Sequence, residues 1–153
     1  MSLVYLCLGG NVGDTQQYLD KSIAEIERYI GPVCCKSAVY ETEPWGFHAE
    51  QMFLNQVVAV RTELEPHDIL ARCQQIEHEL GRVRHGKGYE SRCIDIDIVF
   101  IDSLIMDTAD LKVPHPLMHK RRFVLDPMCD LAPDFVHPVL KKTMKDLRDE
   151  AEA

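Results

Sequence analysis

Residues 93–102 read Cys-Ile-Asp-Ile-Asp-Ile-Val-Phe-Ile-Asp, and no other stretch constrains the fold as tightly. Isoleucines at 94, 96 and 98 alternate with aspartates at 95 and 97, a period of two that fits a β-strand with one apolar face. Asp95 and Asp97 then point one way, about 6–7 Å apart along the strand, and Ile94, Ile96 and Ile98 point the other. The acid face has two readings. One is the solvated side of an antiparallel sheet. The other is a site for a hard divalent cation, because Mg²⁺ takes one or two carboxylates and completes its shell with water and phosphate oxygens.

Charge placement separates the two. The eleven-residue stretches 82–92 and 112–122 hold eight of the chain's 17 Lys and Arg and a single acid, Glu90, although the net charge is −8. Arg82, Arg84, Lys87 and Arg92 surround a Gly-rich loop at 86–88, and Lys112, Lys120, Arg121 and Arg122 follow the acid strand. Cations gathered against the overall sign, beside paired carboxylates, suit a polyphosphate with its metal.

A length of 153 residues suits one domain, 1–153, with a real core. The acidic balance argues against a general nucleic-acid coat. The six cysteines (7, 34, 35, 73, 93 and 129) show no C-x-x-C spacing and read as small buried hydrophobes in a reducing compartment. The apolar run from Leu3 to Leu8 is too short for a signal sequence, and no stretch approaches a membrane span. A soluble, cytoplasmic protein is expected, with no membrane partner; a monomer is the default, which no feature of the sequence derives.

In chain order, Leu3–Leu8 predicts a central strand, and Gly9 to Asp14 a turn with Asp14 capping the next helix. Leu19, Ile23, Ile26 and Ile30 mark that helix, which Gly31-Pro32 stops. Residues 33–41 predict a second strand and 52–62 a third. Between them lies a loop with the only Trp, Trp45, between Pro44 and Gly46. Asn55, among apolar neighbours, requires hydrogen-bond partners, either backbone or the polar edge of a heterocycle. Ile69, Cys73, Ile76 and Leu80 form the stripe of a second helix ended by Gly81, with Gln74 and Glu77 on its flank. After the acid strand come a small hairpin or excursion over 103–113, a short basic helix over 117–122, an irregular tail punctuated by Pro127, Pro133 and Pro138, and a polar helix near 143–151. Strand–helix–strand–strand–helix–strand is the βαββαβ order of an α+β, ferredoxin-like sandwich. The expectation is a mostly antiparallel four-stranded sheet, two helices on one face, the other face open to ligands, and a C-terminal extension of short helices.

Six segments occur in register: Leu8-Gly9-Gly10-Asn11-Val12-Gly13-Asp14, Tyr40-Glu41-Thr42-Glu43-Pro44-Trp45-Gly46, Phe53-Leu54-Asn55, Gly81-Arg82-Val83-Arg84, Arg92-Cys93-Ile94-Asp95-Ile96-Asp97-Ile98, and Val113-Pro114-His115-Pro116 with Arg121-x-Phe123-Val124-Leu125. Together they resemble the 6-hydroxymethyl-7,8-dihydropterin pyrophosphokinase family of folate biosynthesis, from about Leu3 to Pro138. The resemblance implies transfer of pyrophosphate from ATP to the pterin hydroxymethyl oxygen, with release of AMP. It implies two Mg²⁺ ions held by Asp95 and Asp97, and Arg82 and Arg92 on a mobile loop closing over the triphosphate. It implies ATP contacts from Gln74, Glu77, Arg84, Arg92, Ile98, Lys112, His115 and Arg121. For the pterin it implies Thr42, Pro44, Trp45, Gly46, Phe53, Asn55, Asp95 and Phe123, with the two phenylalanines stacking on the ring and Asn55 reading its edge. It also implies Asp97 as acceptor of the substrate hydroxyl's proton. The chain departs from the family pattern at Glu90-Ser91, where Gly-Pro is frequent, and at Tyr89, Lys112 and Gly10.

Other classes compete. A palm-type nucleotidyl transferase or cyclase also uses two carboxylates on such a sheet, and a ferredoxin-like module could bind a nucleotide without turnover. RNA binding on the open sheet lacks its aromatic signature. The Trp45, Phe53, Asn55 and Phe123 set favours the pyrophosphokinase.

Overall fold

The first strand, β1 (Ser2–Gly10), is apolar on both sides because both sides are covered. The computed structural model describes residues 1–11, 13–42, 52–85, 89–92 and 94–151, with 81–85 and 89–92 as backbone alone. β1 pairs antiparallel with β4 (Phe53–Thr62) on one side and β7 (Asp95–Ile101) on the other. β2 (Val33–Lys36) and β3 (Tyr40–Thr42) both pair with β4, which gives a five-stranded sheet in the order β2-β4-β1-β7 with β3 beside β4. The expected second strand is thus two short strands, and the sheet gains a fifth member.

One face of the sheet carries α1 (Thr15–Tyr29) and α2 (Pro66–Gly81). Leu19, Ile26, Ile69, Cys73 and Ile76 bury against Val4, Leu6, Leu8, Val58, Val60 and the isoleucines of the acid strand. The spacing read from the sequence places these side chains correctly, and Asp14 caps α1 by accepting from the Gln17 amide at 3.1 Å. Gly31 stops α1 where no side chain fits, since a β-carbon there would lie 1.9 Å from the Arg61 carbonyl oxygen.

The opposite face is not open along its length, contrary to the sequence expectation. Residues 117–122 do not form one helix. A 3₁₀ turn at Met118–Lys120 precedes α3 (Arg122–Leu131), and α4 (Met144–Glu150) follows, capped by Thr143. Pro127 lies inside α3, where it removes an amide from the helix ladder at about 3 kcal/mol. Val124, Leu125, Pro127 and Met128 are buried on the sheet side of that helix, and each large apolar side chain so buried contributes about 1.5–3 kcal/mol. Burial outweighs the proline. Tyr5, Phe100 and Phe135 form the aromatic centre of this second core, with Phe100 and Phe135 centroids 4.7 Å apart.

The strand β7 carries a bulge. Tyr5 pairs with Phe100 and Leu6 with Ile98, so Val99 is an extra residue, and Val99 and Phe100 both belong to the second core. β8 (Met106–Asp107) and β9 (Lys112–Val113) form the expected hairpin. The basic segment read as a loop is itself a hairpin: β5 (Arg82–His85) pairs with β6 (Tyr89–Arg92), and Arg82 and Arg92 are register partners. Two strand-like tetrads around Gly86-Lys87-Gly88 were the signal for it. Cysteines 7 and 73 are buried as expected, whereas Cys34 and Cys35 are exposed on β2, the outer strand of the sheet. Cys93 lies outside the described residues.

Candidate active site

Antiparallel partners place their side chains on the same face, so the register fixes two rows across the sheet. Tyr40, Asn55, Gly9 and Asp95 form one row, and Val57, Cys7 and Asp97 the next. Asp95 and Asp97 are exposed, while Ile94, Ile96 and Ile98 beneath them are buried. The alternation read from the sequence is therefore present, at the end of the second face beyond Tyr5, Val99 and Phe100. The acids stand on an outer strand, with Asn55 two strands away.

Gly9 and Gly10, expected in a turn, are the last residues of β1. A β-carbon on Gly9 would lie 2.7 Å from Asn55 Oδ1, so the amide of Asn55 lies over β1 in the space the glycine leaves. Asn55 is 5% exposed and its Nδ2 donates to Thr42 Oγ1 at 3.3 Å. β3 brings Thr42 into this position by pairing with Phe53. Tyr40, at the end of the row, donates to Asp130 Oδ1 at 2.8 Å, and Asp130 Oδ2 accepts from the Ala38 amide, tying α3 to this side of the sheet. Burial, followed by the bond to Asp130, pushes the Tyr40 hydroxyl up to about 12.

Asp97 faces Cys7, whose thiol is pushed up to about 12 by burial first and by the Asp97 charge second. His115 comes alongside from the segment after β9, its amide donating to the Val99 carbonyl at 3.0 Å. Its Nδ1 accepts from the Leu117 amide at 3.1 Å, which leaves Nε2 to carry the proton of the neutral ring. Burial pulls the His115 pKa down, and Arg121 adds to this while Asp97 opposes it. The Arg121 guanidinium sits 5.6 Å from the centroid of the Phe123 ring, in the first turn of α3. Phe53 and Phe123 are each half-buried.

Other expected residues lie apart from this row. The ammonium group of Lys112 pairs with Asp107 across the β8–β9 hairpin. Gln74 is exposed on α2, and Glu77 is buried there with its Oε2 accepting from the Ile96 amide at 2.8 Å. The side chain of Ile98 is in the helix-side core, which leaves its main chain as the part a ligand can reach. Pro44, Trp45 and Gly46 lie outside the described residues, and Arg82, Arg84 and Arg92 are described by backbone alone. Gly9 was not legible as a site residue, because a single sequence does not give cross-strand register.

Among the described residues no three His, Cys, Asp or Glu side chains gather into a metal cage. Two exposed carboxylates on one strand face match the kind of donor set that a hard cation takes when water and phosphate oxygens fill the rest of its shell. The residues present fit that ion. Among the described residues no helix is long and apolar enough to cross a membrane.

Residues 5–133 match the family model described as 7,8-dihydro-6-hydroxymethylpterin-pyrophosphokinase (HPPK). A 2-amino-4-hydroxy-6-hydroxymethyldihydropteridine pyrophosphokinase of Porphyromonas gingivalis is 44% identical over 142 residues, covering 90% of this chain and 95% of that one. The enzyme of the same name from Aquifex aeolicus is 38% identical over 150 residues, covering 98% and 92%. Among solved structures, the HPPK-DHPS of Plasmodium falciparum superposes with a TM-score of 0.81 at 17% identity, over 97% of this chain and 44% of that one. That likeness supports the ferredoxin-like fold alone.

Proposed function

The chain belongs to the 7,8-dihydro-6-hydroxymethylpterin-pyrophosphokinase family of folate-synthesis enzymes, and on that premise we propose how its residues carry out pyrophosphoryl transfer. The reaction moves the terminal diphosphate of ATP to the hydroxymethyl oxygen of 6-hydroxymethyl-7,8-dihydropterin and releases AMP. The observation that carries the assignment to this site is the row Asn55–Gly9–Asp95 with Asp97 beside it. It puts a heterocycle-reading amide and a carboxylate pair on one face of one sheet.

Asn55, held by Thr42, presents its amide to the donor and acceptor edge of the pterin. Phe53 and Phe123 supply apolar faces for the flat ring, and offset stacking contributes about 0.5–1.5 kcal/mol beyond area burial. Pro44, Trp45 and Gly46 complete the pterin end, and Asp95 borders it. Asp95 and Asp97 would hold two Mg²⁺ ions, which would supply neutralisation of phosphate charge for an in-line displacement. Asp97 accepts the proton of the hydroxymethyl group as its oxygen attacks. Neutral His115 donates from Nε2 toward phosphate, and Arg121, braced on Phe123, adds a fixed positive charge. Arg82, Arg84 and Arg92 of the β5–β6 hairpin close over the triphosphate and offset the charge that develops during transfer. Gln74, Lys112 and the main chain at Ile98 bound the nucleotide.

The test is product analysis. Purified protein incubated with ATP, Mg²⁺ and the hydroxymethyl dihydropterin should form AMP only when the pterin is present. ADP, cyclic AMP, or AMP independent of pterin would contradict the assignment.

A further inference from the structure

We propose that Glu77 is a positioning residue that holds the acid strand in register from its outer side, so that its carboxylate acts on Asp95 and Asp97 through the backbone between them. The inference rests on the reading of those two aspartates as the metal-holding pair. Among the described residues β7 ends the sheet, with β1 on one side and no strand of this sheet on the other. In an antiparallel pair, alternate residues direct N–H and C=O toward the partner and away from it. The Ile96 amide is one that points away, since it donates to Glu77 Oε2 at 2.8 Å. Ile96 is also the one residue between Asp95 and Asp97.

An outer strand whose outward amides lack partners frays and slips, and a slip of one residue would exchange the faces of the isoleucines and the aspartates. Glu77 is 8% exposed, in the last turns of α2, while Ile69, Cys73 and Ile76 of the same helix are fixed in the core. The carboxylate is therefore delivered from a rigid element. Farther along the same outer side, the Val99 carbonyl accepts from the His115 amide. The two bonds clamp the segment that carries the acids and the bulge.

The test compares Glu77→Leu and Glu77→Gln in the full chain by amide hydrogen exchange and by Mn²⁺ binding with a non-hydrolysable ATP analogue. Gln keeps an acceptor oxygen and Leu does not. In Glu77→Leu we expect the Ile96 amide to exchange at least about tenfold faster while β1–β4 amides keep their protection, and Mn²⁺ affinity to fall by about tenfold. Glu77→Gln should restore both most of the way. Unchanged Ile96 exchange in Glu77→Leu would overturn the proposal. So would an equal loss of nucleotide affinity in both variants with normal Ile96 protection, because that pattern marks a direct nucleotide contact. Asp97→Asn is the control for the premise: if it leaves Mn²⁺ affinity intact, the metal reading fails, whatever Glu77 does. If Glu77→Leu does not fold, Glu77→Asp decides, since its carboxylate is one methylene short of the Ile96 amide: faster Ile96 exchange with β1–β4 protection kept supports the clamp, and wild-type exchange sinks it.

Discussion

The side-chain oxygen of Asn55 lies 2.7 Å from the point where a β-carbon on Gly9 would stand. The two residues are antiparallel partners at the end of the sheet, and the amide occupies the space that the missing side chain leaves. Glycine within a strand is less favourable than alanine by about 0.5–1 kcal/mol, so its presence at this position needs a compensating role. The role we assign it is room for the pterin-reading amide.

Gly9→Ala should therefore destabilise the protein by about 1–3 kcal/mol, because the added carbon displaces a buried amide from its bond to Thr42. Pterin affinity should fall with it. In an Asn55→Ala background the same change should be neutral or stabilising by about 0.5–1 kcal/mol, since only the strand preference remains. Urea unfolding and pterin titration of the four proteins measure this cycle. Equal destabilisation in both backgrounds would show that Gly9 serves something other than Asn55.

Asp97→Ala removes one carboxylate of the pair while leaving Asn55 and Thr42 in place. We expect kcat to fall by at least about a hundredfold, with pterin affinity retained. Steady-state kinetics and fluorescence titration separate the two quantities. Near-normal turnover would mean that the metal site is elsewhere.

Arg92, the register partner of Arg82, is assigned to charge that develops during transfer. Arg92→Ala should lower kcat by about a hundredfold or more and change pterin affinity by no more than about threefold. Single-turnover kinetics isolate the chemical step. An equal loss in binding and turnover would remove the distinction between this arginine and an ordinary substrate contact.

His137 provides a pH dependence remote from chemistry. Its Nδ1 accepts from the amides of Val139 at 3.1 Å and Leu140 at 3.0 Å, and its ring meets Phe100 edge-on at 5.5 Å. Burial, and then the nearby His119, pull its pKa below the ordinary histidine value. The folded protein thus favours the neutral ring. That contribution to stability is fully present above an unfolded-state pKa of about 6.5 and is lost as pH falls through the lowered folded value. Thermal unfolding between pH 7.5 and 5 should show Tm dropping on acidification, and His137→Asn should flatten the drop. His115, shifted in the same direction, should retain part of the slope in that variant. A wild-type Tm that rises on acidification across this range would contradict the assignment.

The sequence made the acid strand legible because strict alternation of isoleucine and aspartate leaves one solution to its faces. Both helix stripes on the first face were legible for the same reason. The bulge at Val99 was not, since Ile98-Val99-Phe100-Ile101 is apolar throughout and gives no signal of a doubled residue. α3 was hidden by Pro127, a helix breaker whose effect is overcome by the burial of Val124, Leu125 and Met128. Once α3 and α4 are in place, the face expected to be open is closed except toward the aspartates. The exposure of Cys34 and Cys35 depends on β2 lying outermost in the sheet, a matter of strand order and not of composition.

The most direct measurement is a crystal structure with a non-hydrolysable ATP analogue, the pterin and Mn²⁺, with the ions located by anomalous scattering. We expect two peaks coordinated by Asp95 and Asp97, between the triphosphate and the pterin hydroxymethyl group, with the Asn55 amide on the edge of the ring. Ions bound elsewhere, with both carboxylates facing bulk water, would contradict the assignment of this strand as the centre of the reaction.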